Sequence, residues 1–347
     1  MGKFEISKST SLIIKALAIV LMVATHLLGA NTDVLISIPL GSTNMAHYLS
    51  YLGRICVYMF AFVSGYGLYY SLSKIDKEPV EVKVKSVFKK IITFLIGYWL
   101  ILFTLFLPFY ISSGSWNTGD FFLSLFGFGS MNIYSWYVYF YIIVLLTLPL
   151  LHLLMKKHWS IAPTCIAVLI GTYVVLALLQ NKIPVYDKIV NCIFAYISVI
   201  IGYAFAKESY LTKIVALFKG KRWIVILLSS FLFVGVFIIY SKWTYGIIMP
   251  FLTLLFLIPL SLLFTFSVPR WIVTPLELLG KSSMYIWFMH AIVLTDYINK
   301  VVNFKWFFYL PREAVCVVLF TVIILFPISY LYYYVDSVIN NKLLSKI

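Results

Sequence analysis

Charge is what this chain has least of. Asp and Glu number 12 in 347 residues, Lys and Arg 27, and only 11% of positions are charged, where soluble domains carry about 25%. A water-soluble fold of this length could not hide a 63% hydrophobic composition with a mean hydropathy of +1.00, because folded domains leave much of their surface open. Paired cysteines are also missing. Cys56, Cys165, Cys192 and Cys316 lie singly in apolar stretches without CxxC spacing, and read as packing residues. No HxxxH or HExxH spacing links the histidines, so no metal site is expected. Ser64 follows Val63 rather than the glycine of a GxSxG elbow, which argues against a hydrolase nucleophile. Gly127-Phe128-Gly129 lacks the strand and helix that a nucleotide loop needs.

Long apolar runs, by contrast, recur from end to end, and a run of 18 or more apolar residues reads as a membrane span. The predicted fold class is all-α: a polytopic membrane helix bundle of about ten transmembrane helices in a single domain over 1–347. The expected spans are 11–30, 50–72, 91–111, 134–155, 160–180, 189–206, 223–241, 246–266, 283–300 and 313–335. The first is too long for the core of a signal peptide and contains Lys15, so it is read as a retained span. Alternate loops collect 19 Lys and Arg on one side and 6 on the other, which predicts both termini in the cytoplasm. The same rule accounts for the net charge of +15 without a nucleic-acid partner. The largest cytoplasmic loop, 73–90, is lysine-rich. The segment 112–133, aromatic and glycine-rich, is expected outside and able to dip into the bilayer.

Four side chains are expensive to keep in such a bundle, since a Lys or Arg at a helix centre costs about 2.5–3.5 kcal/mol. They are Lys15, His26, Arg54 and His290. Lys15 and His26 are eleven residues apart, within about 20° of three full helical turns, so they share one face with roughly 16 Å between them. A cation near the cytosol and an imidazole deeper in suit an anionic donor arriving from inside. The plainer reading has Lys15 snorkelling to the interface and His26 bonding a neighbouring helix. Arg54 cannot shed its charge and must meet an anion, carbonyls or water. The small residues Ser64 and Gly65 that follow it permit close helix approach. His290 ends LGKSSMYIWFMH and is expected one to two turns inside the ninth span, as a functional group or as a plain link between helices. His47, His152, His158 and the acid nearest His26, Asp33, carry less weight.

The order of these features resembles acyltransferase family 3, the multi-span O-acyltransferases that modify bacterial cell-surface glycans. The family's Arg, ten residues, then His is similar to Lys15, ALAIVLMVAT and His26. Its aromatics running into Ser-Gly resemble YMFAFVSGYG, and its Trp-aromatic pair resembles Trp136-Tyr137 in YSWYVYFY. Its late Gly-Lys-x-Ser, aromatic and terminal His resemble Gly280, Lys281, Ser283, Trp287 and His290. Lys85, Lys89 and Lys90 resemble its basic cytoplasmic loop. This sequence departs from the pattern at Lys15, where the family has a bidentate arginine, and at Trp287, where tyrosine is common. The esterase-like extracytoplasmic domain that some members append has no counterpart here, so acyl delivery is expected from the membrane part or from another protein.

The resemblance implies transfer of an acyl group, most simply acetyl, from cytoplasmic acetyl-CoA to a hydroxyl of a surface polysaccharide or its lipid-linked precursor, in the plasma membrane. The implied catalytic residues are His26 and His290. Lys15, Arg54, Lys89 and Lys90 would bind the polyanionic donor, and Trp136 and Ser283 the acceptor. His26 either deprotonates the acceptor hydroxyl or carries the acyl group covalently. The implied partners are a glycan acceptor, the lipid bilayer and glycan-synthesis proteins. An exporter of surface polysaccharide is the alternative, because buried cations also suit a sugar or ion path. A pure scaffold leaves the buried charges unexplained.

Overall fold

The computed structural model describes residues 4–30, 35–40, 43–157, 161–178, 186–240, 246–265 and 268–344; Asp33 and His158 lie outside them. The described chain is overwhelmingly helical. In order come α1 (Lys8–Ala30), α2 (Met45–Gly53), α3 (Cys56–Lys74), α4 (Val80–Ile101), α5 (Leu107–Ser112) and α6 (Thr118–Ser124). There follow α7 (Trp136–Lys157), α8 (Ile161–Leu178), α9 (Tyr186–Glu208), α10 (Tyr210–Leu217), α11 (Arg222–Tyr240) and α12 (Met249–Leu263). The chain closes with α13 (Arg270–Met289), α14 (Asp296–Val301), α15 (Phe304–Phe308) and α16 (Ala314–Leu344). A two-stranded hairpin, Pro39–Leu40 with Thr43–Asn44, precedes α2.

Among the described residues, six helical segments are long and apolar enough to cross a membrane, and a seventh follows if α10 and α11, bent by 102°, form one broken span. The expected spans near 160–180 and 246–266 correspond to shorter apolar helices, Pro163–Leu178 and Met249–Leu263. The bend between α10 and α11 has a local cause. Lys219 and Gly220 take φ of 53° and 77°, and the Gly220 and Lys219 N–H groups close back on Val215 and Ala216, a glycine-assisted helix stop.

The chain divides into two compact units, each assembled from separated segments. The first comprises Met1–Ala18, Ile55–Pro79 and Leu146–Leu276. Its tightest crossing is α3 on α9. A Cβ added to Gly65 would stand 2.0 Å from the Val199 carbonyl, and one added to Gly202 would stand 2.0 Å from the Phe62 carbonyl. Each glycine therefore admits the other helix's backbone, the use expected of small residues where lipid tails offer no hydrophobic gain between helices. The same unit holds a buried polar link, with His152 Nδ1 2.6 Å from the Tyr203 hydroxyl and Nε2 3.5 Å from an Asp76 carboxylate oxygen.

The second unit comprises Ile19–Arg54, Val80–Leu145 and Glu277–Ile347. Here α2 is seated on α1 through Gly53, whose added Cβ would stand 2.1 Å from Thr25 Oγ1 and 2.2 Å from the Leu21 carbonyl. The Ser50 hydroxyl donates to the Thr25 carbonyl at 3.0 Å. Between α4 and α5 the helix widens into a π turn over Leu102–Phe106, followed at once by Pro108, which has no N–H to continue the ladder. Asp336 is buried in α16 and accepts from the Tyr285 hydroxyl at 2.8 Å and the Asn340 amide at 2.9 Å. A buried carboxylate needs such partners.

Two expectations are corrected and a third is refined. The lysine-rich loop 73–90 is shorter than expected, because α4 already begins at Val80. Its lysines punctuate the hydropathy without breaking helical geometry, and lysine is a good helix former. The ninth helix is displaced: α13 runs from Arg270 to Met289 and the expected span 283–300 breaks around Thr295. The Asn299 side-chain amide explains the break, since it donates to the carbonyls of Ile292, Val293 and Thr295 and so competes with a continuing helix. Arg54 falls inside the candidate span Met45–Lys74, as expected, but at a break in it rather than within a continuous helix. It is the exposed residue after α2, at the break before α3, with its guanidinium 4.2 Å from the centre of the Tyr51 ring.

Candidate active site

The site is built in the second unit by three segments. The first is the C-terminal part of α1. Its register is set where α2 presses on it, with Gly53 against Leu21 and Thr25 and the Tyr309 hydroxyl donating to the Leu27 carbonyl at 2.6 Å. His26 lies between these restraints, half-buried.

The second is the end of α13. Trp287 and His290 are three residues apart and face the same way, as helical periodicity requires. His290 is wholly buried, and its ring Nδ1 bonds the Trp287 carbonyl. A carbonyl can only accept, so Nδ1 carries the proton and Nε2 keeps a bare lone pair. That Nε2 is buried with no hydrogen-bond partner among the described residues. Position 290, expected one to two turns inside a span, is instead the first residue of a tight turn that ends the helix.

The third is the segment 117–135, which folds into α6 and a compact return. Asn117 caps α6 by accepting from the Asp120 N–H. Asp120 then accepts from Tyr110 and from both the N–H and hydroxyl of Ser130. The last carbonyls of this helix and its exit are taken by the Tyr98 hydroxyl and the Trp99 indole. Gly127 permits the return with a φ of 83°. The result is a compact segment several of whose backbone groups are taken up by protein side chains. It delivers Tyr134 to the histidines.

These three segments bring His26, Tyr134 and His290 into mutual contact. The His26 and Tyr134 ring centres are 4.0 Å apart, those of Tyr134 and His290 4.8 Å, and those of His26 and His290 5.1 Å. Trp287 ties the group together, because its indole N–H donates to the Tyr134 carbonyl at 3.2 Å while its own carbonyl accepts from His290. Asn132 adds a second tie, with its amide on the Phe288 carbonyl and its side-chain oxygen accepting from the Tyr134 N–H. Two imidazoles this close cannot both be protonated cheaply, so the pair holds one proton more readily than two. Such a pair can accept a proton from a hydroxyl and return it to a leaving group.

The other predicted residues fall elsewhere. Trp136 opens α7 with its ring 6.0 Å from Tyr137, and Tyr137 packs 4.7 Å from Trp287, so this pair backs the cluster. Ser283 is buried and its hydroxyl is spent on the Gly280 carbonyl of its own helix. Lys15 lies on the N-terminal part of α1, half-buried, in the first unit. Lys89 and Lys90 lie on α4, where Lys89 is exposed and Lys90 reaches Ser86 at 3.4 Å. Tyr134 was missed from sequence: one tyrosine among 26 gives no signal beyond standing two residues before Trp136. Among the described residues no three His, Cys, Asp or Glu side chains are grouped to hold a metal ion.

No curated protein and no solved structure matches this chain. A family model described as an acyltransferase domain, that of acyltransferase family 3, matches residues 13–334 and so takes in all three segments of the site. The chain belongs to that family of acyltransferases.

Proposed function

We propose that this protein transfers an acyl group, most simply acetyl, from cytoplasmic acyl-CoA to a hydroxyl of a cell-surface polysaccharide or its lipid-linked precursor. It works as a multi-pass protein of the plasma membrane with both termini in the cytoplasm. The observation that carries this reading is the histidine pair, in which His290 presents a bare Nε2 and His26 is the more open ring. His26 takes the proton of the acceptor hydroxyl, whose oxygen attacks the thioester carbonyl. The C–O bond of the ester forms, the C–S bond breaks, and the proton passes to the CoA sulfur. His290 orients the pair and shares the charge. An imidazole suits both transfers because its unperturbed pKa lies near neutrality.

Lys15, on the His26 helix, and Lys89, Lys90 and Arg54 supply cations for the donor's phosphates. The excess of basic residues assigned to the cytoplasmic side supports donor access from there. Lys15 acts as a point charge rather than a bidentate fork.

The test is radiolabelled acetyl-CoA with the purified full-length protein in lipid nanodiscs, with a de-O-acetylated surface polysaccharide supplied as hydroxyl acceptor, scored for free CoA and for label on polysaccharide and on protein. An enzyme releases CoA, and His26→Ala abolishes the release. Label retained on the wild type but not on His26→Ala selects the covalent version. Neither CoA release nor label from the wild type overturns the enzymatic reading in favour of a polysaccharide exporter.

A further inference from the structure

We infer that Tyr134 is a positioning residue of the histidine pair, and that its aromatic face, rather than its hydroxyl, favours the protonated imidazole formed during transfer. The inference rests on the proposed acyl transfer and adds a residue that neither the motif pattern nor the histidine spacing indicates. Its ring contacts both imidazoles, at 4.0 and 4.8 Å between centres. Both distances fall within the roughly 6 Å over which an aromatic face attracts a cation. A single ring placed against two bases favours the proton on either one, so it supports the pair whichever nitrogen holds the charge.

The ring is held from its backbone. The Tyr134 N–H is engaged by Asn132 and its carbonyl by the Trp287 indole. Asn132 is bonded in turn to the Phe288 carbonyl, so Tyr134 is tied to the same helix end that carries His290. Three hydrogen bonds made by two side chains, Asn132 and Trp287, thus register one aromatic plate against two catalytic rings, an arrangement that core packing alone does not require.

The Trp287 carbonyl supports the charged state at His290 alone; the Tyr134 ring reaches both imidazoles. Neither histidine has a carboxylate partner among the described residues. The titratable groups from the elements packed around the pair are the Tyr134 phenol and the Tyr309 phenol, the latter committed to the Leu27 carbonyl. From α13 and its terminal turn the neighbours are Trp287 and Phe288, which are uncharged. Apart from the Trp287 carbonyl on His290 Nδ1, the ring face is, among the described residues, the source of negative potential that lies beside both imidazoles. Contacts of this kind correspond to roughly 2- to 30-fold in an equilibrium constant.

The test compares the wild type with Tyr134→Phe and Tyr134→Leu, and with Phe at 134 carrying increasing fluorination, which drains the ring face at nearly constant shape. With the same polysaccharide acceptor present, CoA release from acetyl-CoA is followed against pH, with kcat and KM separated. Tyr134→Leu is expected to lower kcat about tenfold, with KM for acetyl-CoA within about twofold. Its acid limb should move to lower pH by about half a unit to one unit, because the imidazolium loses its support. Tyr134→Phe restores most of kcat relative to leucine, and fluorination moves the acid limb stepwise to lower pH. A phenylalanine variant as impaired as the leucine one, or a fluorinated series with an unmoved limb, overturns the inference. The fluorinated series keeps it testable if the leucine variant does not fold. If the wild type itself releases no CoA, the acyl-transfer reading has failed; if it does and the limb stays, only the role of Tyr134 has.

Discussion

The imidazoles of His26 and His290 stack 5.1 Å apart, inclined by 28°, although one comes from the first helix and the other from the end of the thirteenth. Rings this close repel a second proton, so their contributions to a reaction are coupled. Mutating either should expose that coupling.

His26→Ala and His290→Ala are each expected to lower kcat for CoA release by roughly 10²–10⁴-fold, the range of a lost general acid–base group. Residues that act as a unit are non-additive. The double variant should therefore fall no further than the more impaired single variant. Losses that multiply would show two independent roles.

Lys15 is predicted to act on donor binding and not on proton transfer. Lys15→Met should raise KM for acetyl-CoA about tenfold, a usual size for one charge-assisted contact, and leave the pH dependence of kcat unchanged. Lys15→Arg should bind the donor at least as tightly as the wild type, since the fork adds a second bond to a phosphate. Steady-state kinetics across pH check both, and a Lys15→Met variant with normal KM removes the residue from the donor site.

Gly65 and Gly202 set how closely α3 approaches α9. Gly202→Ala puts a methyl 2.0 Å from the Phe62 carbonyl carried by a neighbouring helix backbone, which no rotamer change relieves. Destabilisation of about 1–3 kcal/mol is expected for such overpacking, read as a lower melting temperature in detergent. Gly67 and Gly171 meet nothing within 4 Å, so alanine there should leave the melting temperature nearly unchanged.

Glu313 caps α16, with its carboxylate accepting from the Cys316 N–H at 2.7 Å. That bond holds the carboxyl below the usual carboxylate range. A depressed folded-state value means the stabilisation is present above the unfolded value and is lost as pH falls through the folded one. Below about pH 4.3, the unperturbed glutamate value, the wild type should lose stability that Glu313→Gln does not have to lose. At neutral pH, Glu313→Ala should cost about 0.5–1 kcal/mol, as for a lost helix cap. Melting temperature against pH is the measurement.

Several features could be read from residue order because they depend on local spacing. Eleven residues put Lys15 and His26 on one helix face whatever surrounds them, and Ser64-Gly65 marked a close approach that Gly65 does make with Val199. Other readings failed where a side chain overrode hydropathy. Asn299 captured the carbonyls that would have continued a helix past His290. The lysines before residue 91 masked the start of α4. Arg54 looked buried because its neighbours are apolar, yet it stands at a helix break.

Sequence alone determined that this chain belongs in a bilayer, is helical and resembles a family of acyltransferases, since apolar run length, basic asymmetry and motif order are additive along the chain. The meeting of His26 with His290, the committed Nδ1 and the placing of Tyr134 against both belong to the tertiary structure. They depend on Gly53 seating α2 on α1 and on Trp287 and Asn132 tying a loop to a distant helix end. Contacts between remote segments arise from packing and from hydrogen bonds that must be satisfied away from water, and no periodicity in the sequence records them.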